Sequence, residues 1–322
     1  MGNVKVTIII PVYNGQKTIA RTMESLIQQT YANWEAMVIN DGSTDETMDV
    51  LKRYGEKYTN KILISSHKNI GQAETRNRAI QSASGDYIMF LDADDYIDAD
   101  YIESYVCAME SGDYDCVVGG YRREDVKGKV VKRFWPSNKW MLYANMGVCS
   151  RMIKRKILVE NNIKFLNISI GEDSYFNFSL FSRTNKIKRI SNEGYVWILN
   201  MDSISFSKHS GFTVTNEVIS LLNSLADVID MADEFNQAWL VRYAVWYILF
   251  SGRGASSDEF IKNDEILFNW LKSHNVRLKF PVRGVTDGET IKIRFCVAMY
   301  LVIRKCGLLY AFSKLYCSSN RK

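Results

Sequence analysis

Proline is nearly absent from this chain, with three residues in 322. That leaves no proline-rich spacer, and no low-complexity linker or internal repeat divides the sequence, so its internal boundaries are soft. Cysteine is sparse. Cys107, Cys116, Cys149, Cys296, Cys306 and Cys317 match neither a zinc-ligand spacing nor a disulfide scaffold, which fits a reducing compartment. No run of eighteen apolar residues occurs, so no ordinary membrane span is expected. The opening Met1-Gly2-Asn3-Val4-Lys5 leads straight into a strand without a signal-peptide pattern. The expected location is cytoplasmic, and the sequon Asn167-Ile168-Ser169 is read as chance. Glycine fingerprints are missing too. There is no Gly-x-Gly-x-x-Gly after the first strand and no Walker-type loop, which counts against dehydrogenases and ATPases. Asn14-Gly15-Gln16-Lys17 is too poor for the glycine- and lysine-rich loop of a nucleotidyltransferase. A net charge of +5 is mild, and the basic residues of 121–139 match no recognised module, so no nucleic-acid partner is expected.

What is present is an ordinary globular balance, 47% hydrophobic and 24% charged, sufficient for a sizeable core. One segment stands apart. The apolar run Tyr87-Ile88-Met89-Phe90-Leu91 empties directly into Asp92-Ala93-Asp94-Asp95. A buried strand that ends in acids places them on the rim of a sheet. Clustered carboxylates repel one another and lose hydration unless a cation or hydrogen bonds compensate. Hard oxygen ligands suit Mg2+ or Mn2+, and a metal held by few protein ligands keeps positions open for phosphate oxygens. An EF-hand is excluded, because its glycine and terminal glutamate are missing at their spacing.

The first 120 residues alternate. Strands are expected at 4–12, 34–39, 61–65, 87–91 and 116–119, and helices at 18–29, 45–57, 71–82 and 100–110. In the first helix Ile19, Met23, Leu26 and Ile27 share one face. Such alternation implies an α/β fold with a mostly parallel sheet flanked by helices, and ligands then bind beyond the carboxyl ends of the strands. Four segments fall there: Pro11-Val12-Tyr13-Asn14, Asn40-Asp41-Gly42-Ser43, the stretch around Asn69-Ile70-Gly71, and Asp92-Ala93-Asp94-Asp95. Residues 121–145 are basic and aromatic with weak periodicity. A helix is expected to open at Gly171-Glu172-Asp173, and from about Thr215 onward the pattern is mostly helical.

These motifs, with Ser25-Leu26-Ile27-Gln28-Gln29-Thr30, Arg76-Asn77, Gly85-Asp86 and the pair Glu172-Asp173, occur in an order that resembles family 2 glycosyltransferases of the GT-A fold over residues 4–205. The resemblance implies a GT-A catalytic domain at 1–215 with a mainly helical region at 216–322. It also implies a metal-dependent, inverting transfer from a nucleotide-sugar donor, with a UDP-sugar expected, to a glycan or lipid-linked acceptor in bacterial polysaccharide biosynthesis. The donor sugar, the linkage and the oligomeric state are left open.

On that resemblance Asp41 accepts from a base edge, with Pro11, Tyr13 and Asn14 lining the same pocket. The alternative is that Asp41 and Ser43 only build a turn and cap the next helix. Asn69 and Gly71 form the loop before the third helix. Arg76 adds charge near the diphosphate, or else pairs on the helix surface with Glu74 or Asp86. Asp94 is the direct ligand of Mn2+ or Mg2+, Asp92 touches ribose or a metal-bound water, and Asp95 supports them. The alternative has Asp95 or Asp98 capping the following helix. Asp173 is the base that takes the acceptor proton, with Glu172 beside it. The opposing reading is a pair of acids favoured by the helix dipole. Lys208 or His209 reaches the diphosphate from a serine-rich loop at 201–209, and Trp197 stacks on acceptor sugar or packs in the core. The basic, apolar stretch 291–322 contacts either the inner face of a plasma membrane or protein, and those two readings stand level. A catalytically inactive interaction protein on the same scaffold is the competing class, against which the intact Asp41, Asp92, Asp94 and Asp173 count.

Overall fold

The computed structural model describes residues 4–144, 147–199, 211–281 and 284–319 of the chain. It divides into two compact units. The first comprises Met1–Ser137, Met146–Asn167 and Glu172–Asn200, and the second Asn138–Asn145, Ile168–Gly171 and Met201–Lys322.

The first unit is built on a seven-stranded sheet. Its strands are β1 (Val6–Val12), β2 (Trp34–Asp41), β3 (Ile62–His67), β4 (Tyr87–Phe90), β6 (Cys116–Val118), β9 (Arg151–Lys154) and β10 (Ile187–Arg189), in the spatial order β10-β6-β9-β4-β1-β2-β3. β1 lies inside the sheet, between β4 and β2, because its apolar run can be buried on both faces. Val6, Ile8, Ile9 and Ile10 are all at or below 1% exposure. The helices α1 (Ile19–Ile27), α2 (Thr47–Lys57), α3 (Gln72–Ser82) and α4 (Tyr101–Glu110) follow β1, β2, β3 and the segment after β4. All the expected strand–helix alternations are present, and the sheet is mostly parallel.

Register decides which residues share the rim. β1, β2 and β3 run parallel, with Val12 level with Asn40, Asn40 level with Ser66, and Asp41 level with His67. β4 joins β1 on the other side with Phe90 level with Ile9. The four segments picked out from the sequence therefore leave one edge of one sheet.

Beyond the five expected strands this sheet has two more, β10 at its edge and β9 within it. β9 is inserted antiparallel between β4 and β6, pairing Met152 with Met89 and Ile153 with Cys116. Its four residues are too few to show a period, although Met152 and Ile153 are fully buried. Because it runs against β4, the residues just before it arrive at the same rim that β4 leaves.

The weakly patterned 121–145 stretch resolves into β7 (Tyr121–Glu124), β8 (Val130–Phe134) and the short helix α5 (Lys139–Ala144). β7 and β8 form a hairpin that turns at Gly128, whose φ of +80° suits a residue without Cβ. With β5 (Tyr96–Ile97) and β11 (Tyr195–Ile198) they make a second sheet in the order β5-β11-β7-β8. Two more helices complete this unit, α6 (Arg155–Glu160) and α7 (Glu172–Arg183).

The second unit is helical: α5, α8 (Thr215–Ala226), α9 (Glu234–Ser251), α10 (Ser257–Ser273), α11 (Ile291–Lys305) and α12 (Leu309–Ser319). α10 opens with a capping box between Ser256 and Glu259. The basic, apolar stretch that begins at Ile291 forms two helices, α11 and α12. The break is a Schellman turn, in which Gly307 N donates to Arg304 O and Leu308 N to Ile303 O, with Gly307 at φ +69°.

Candidate active site

The ends of β1 and β2 interlock before any ligand is considered. Asn14, in the left-handed region at φ 50°, accepts from Thr44 N through Oδ1 at 2.9 Å, and its own N–H donates to Ser43 Oγ at 2.9 Å. Gly15 N donates to Thr47 Oγ1 and Gln16 N to Asp45 Oδ2. The Asn14 side chain, expected among the pocket residues, is thus engaged in bracing the loop. Tyr13 beside it is 47% exposed, and Pro11 is half-buried.

Asp41 does not cap a helix. Its Oδ1 accepts from Ile70 N at 2.8 Å and its Oδ2 from Gly71 N at 2.9 Å, so it pins the loop before α3. Gly42 is required beneath that loop, because a Cβ there would lie 2.6 Å from Asn69 N. Gly71 is required by its conformation, with φ at +86°. His67, at the end of β3, brings Nδ1 to 3.3 Å from Asp41 Oδ1. His67 ends β3 on the same rim, although no motif in the sequence marks it.

α3 carries the centre of the site. Gln72 and Arg76 lie one turn apart and share a face. Gln72 Nε2 donates to Glu172 Oε1 at 2.7 Å. Arg76, 2% exposed, sends Nη2 to Asp92 Oδ1 at 2.7 Å and Nη1 to Asp173 Oδ1 at 3.5 Å. The surface pairing with Glu74 or Asp86 weighed from the sequence is therefore wrong, and it is Arg78 that takes Glu74. Burial alone would lower the Arg76 pKa, but Asp92 and Asp173 outweigh it and keep the guanidinium charged.

The guanidinium also lies over the Phe165 ring at 5.3 Å. Phe165 stacks on Phe176 at 4.2 Å, and Phe90 meets both edge-on. Asn77 holds this floor in place by exchanging two hydrogen bonds with the Phe165 backbone. The Arg76-Asn77 pair thus divides its work: one residue faces the acids, and the other fixes what lies beneath them.

Asp173 sits in the first turn of α7, where the helix dipole favours an anion. Val148 N donates to its Oδ2 at 3.3 Å. Burial, then Glu172 next to it, pushes its pKa up to about 7, with Arg76 and Arg151 pulling the other way. Burial and then Asp92 push Asp94 up to about 6. Its carboxylate makes no salt bridge among the described residues, while its backbone oxygen accepts from Arg21 Nη2.

Asp95 backs the acidic loop through Tyr195, whose hydroxyl accepts from Asp92 N. Tyr195 OH donates to Asp95 Oδ2 at 2.5 Å and Ile198 N to Asp95 Oδ1 at 2.9 Å, which ties β11 to the acidic loop. Neither Asp95 nor Asp98 caps α4; Asp98 holds Arg122 in a bidentate pair, and the cap position is Asp100. Trp197 is 37% exposed with Arg123 stacked 3.8 Å over its ring. Lys208 and His209 lie outside the described residues.

Residues 7–175 match the family described as Glycosyl transferase family 2, more than half of the chain. The chain belongs to this family. Among relatives of this family-2 chain, the poly(ribitol-phosphate) beta-glucosyltransferase of Bacillus spizizenii is 28% identical over 207 residues, covering 62% of this chain and 33% of the relative. Glycosyltransferase GlyA of Streptococcus pneumoniae is 26% identical over 62% of this chain and 31% of its own length. The chain thus spans about a third of the length of these two relatives. A shorter one is the UDP-Glc:alpha-D-GlcNAc-diphosphoundecaprenol beta-1,3-glucosyltransferase WfgD of Escherichia coli, 31% identical over 65% of this chain and 82% of the relative. In structure, residues 1-349 of S. aureus TarS, solved with UDP-GlcNAc, superpose with a TM-score of 0.57 at 18% identity over 89% of this chain and 98% of that one. The fold is of that GT-A type.

Two further site residues of this family-2 chain were missed in the sequence because only β9 brings them in. Cys149 precedes β9, and burial and then Asp92 push its thiol well above the usual range. Arg151, on β9, is 2% exposed and is one of the charges acting on Asp173. No local pattern singles out either one. Among the described residues no three His, Cys, Asp or Glu side chains gather closely enough to hold a metal ion by themselves. The Asp92–Asp94 arrangement nevertheless suits a hard cation that takes one or two carboxylates and completes its shell with substrate phosphates and water.

Proposed function

We propose that this chain transfers a sugar from a nucleotide-sugar donor, a UDP-sugar, to a hydroxyl of a glycan or lipid-linked acceptor in bacterial polysaccharide assembly, with inversion. The observation that carries the reading is Arg76, one buried guanidinium that meets both Asp92 and Asp173. The acids assigned to donor and acceptor are thereby neighbours across a single side chain.

In this reading the acceptor oxygen attacks the anomeric carbon as the bond from that carbon to the diphosphate oxygen breaks. Asp173 Oδ takes the hydroxyl proton, and the nucleoside diphosphate leaves on the opposite face. A raised pKa near the working pH suits a general base. Glu172 orients the start of α7 through Gln72. Asp94 is the residue assigned to Mn2+ or Mg2+, which when bound would neutralise charge on the departing diphosphate. Asp92 is held by Arg76 and is left to ribose or to a metal-bound water. Asp41, Asn69 and Gly71 shape the base and ribose side, with Pro11 and Tyr13 at its mouth. WfgD is named for a diphosphoundecaprenol acceptor and TarS was solved with UDP-GlcNAc, which supports a uridine donor and a lipid-linked acceptor here. The catalytic part is assigned to residues 1–215 and the helical region to 216–322.

The test uses a panel of nucleotide sugars with manganese, measuring binding by calorimetry and transfer by nucleotide release. Asp173→Asn should cut turnover by about 10²–10⁴-fold while donor affinity survives. Near-normal turnover in that variant would remove the base assignment. Failure of the unaltered chain to bind any nucleotide sugar would overturn the whole reading, and binding without turnover would favour an inactive scaffold.

A further inference from the structure

The C-terminal helices of the second unit are fixed by their inner faces. Tyr300 OH donates to Asp264 Oδ1 at 2.7 Å, and Arg304 Nε to Asp264 Oδ2 at 2.8 Å, with the guanidinium 4.0 Å over the Phe268 ring. Arg294 donates to Pro281 O and Thr286 Oγ1. Val297 and Tyr300 are buried to 3% and 1% exposure. α11 therefore cannot roll to hide its other side.

That other side is apolar and open. Ile291, Phe295, Met299 and Val302 are 85%, 65%, 40% and 58% exposed, and at 100° per residue they form one stripe. Leu308 at the turn, and Tyr310 and Leu315 on α12, are 55%, 52% and 74% exposed. Water-facing stripes of this size mark an interaction surface.

Charge identifies the occupant. From Ile291 to Lys322 there is no Asp or Glu, and there are seven Lys and Arg. Arg294 and Arg304 are spent on internal bonds, whereas Lys292, Lys305 and Lys314 are exposed around the apolar stripe. A second copy meeting this face symmetrically would bring an acid-free basic patch against itself. A fifteen-residue helix is about 22 Å long, too short to cross a bilayer, and no described helix is long and apolar enough to do so. We propose that the outer faces of α11 and α12 lie on the surface of an anionic lipid bilayer, with the apolar stripe entering the acyl boundary and the flanking lysines among the headgroups. This assignment is independent of the transferase reading, since it uses none of the site residues.

Sedimentation of the full chain with vesicles tests it. Phosphatidylcholine mixed with phosphatidylglycerol should carry the protein down, phosphatidylcholine alone should carry much less, and salt should weaken the binding. Phe295→Ser with Val302→Ser should lower partitioning at least about tenfold, with helix content unchanged by circular dichroism. Lys292→Gln and Lys305→Gln should each lower it about fivefold on anionic vesicles only. If the unaltered protein stays in the supernatant with anionic vesicles, or if the serine pair binds them equally well, the proposal fails. It also fails if sedimentation equilibrium shows a dimer that the serine pair dissociates while lipid is ignored.

Discussion

The rim around Arg76 and the outer face of α11 invert the usual partition of residues in opposite ways. At the rim, charge is buried: Arg76 at 2% exposure, Asp41 at 3% and Asp95 at 2%. On α11, apolar side chains are exposed while the arginines turn inward. The two places differ in how the cost is met. Buried charges are tolerable only with partners inside the protein, and the rim supplies them: Asp92 and Asp173 for Arg76, two backbone N–H groups for Asp41, Tyr195 and Ile198 for Asp95. The α11 stripe has no such cover among the described residues, and the proposed bilayer would supply it.

The contrast breaks most visibly at Arg76. Arg76→Met leaves Asp92 and Asp173 without their shared cation, and should destabilise the fold by about 3–5 kcal/mol, read from urea unfolding. A loss below about 1 kcal/mol would mean that the rim is hydrated enough not to need the arginine.

The pH profile sharpens the same point. A base works only when deprotonated, and the Asp173 pKa is raised to about 7. Turnover should therefore fall about tenfold per pH unit on the acid side of 7 and level off above it. A limb near 4, where an ordinary carboxylate titrates, would take Asp173 out of the role.

A smaller effect is expected one residue along. Asn77→Ala removes both hydrogen bonds to Phe165 and should cost about 1–3 kcal/mol. Turnover should fall with it if the aromatic floor positions Arg76; stability lost with turnover intact would separate the floor from the chemistry. Least of all should happen on α11. Phe295→Ser with Val302→Ser should change stability by no more than about 0.5 kcal/mol per site, because side chains already in water have little burial to lose. A large drop in the melting temperature would show that the stripe is covered within the protein.

Much of the rim could be read without coordinates. Asp41, Asp92, Asp94 and Asp173 stood out because each ends an apolar strand or opens a helix, and both signals are local. Arg76 was seen but given two settings, since a helix period says which face a residue occupies and not what lies opposite. What holds Asn14 and Asp95 is hidden from the sequence for the same reason: their partners, Thr44 and Tyr195, are 30 and 100 residues away. Nothing local marks His67, Cys149 or Arg151 as neighbours of the site, the last two because β9 is too short to announce itself.

By itself, then, the order of residues determined the strand–helix alternation, the buried first strand and the carboxylates at strand ends, since periodicity and burial of apolar runs act over neighbouring positions. Only the tertiary structure decided that β9 runs backward between β4 and β6, that one guanidinium joins acids 81 positions apart in the chain, from Asp92 to Asp173, and that α11 turns its arginines in and its apolar stripe out. Those outcomes depend on pairings between distant segments, where register and partner are settled by packing and electrostatics that no local pattern contains.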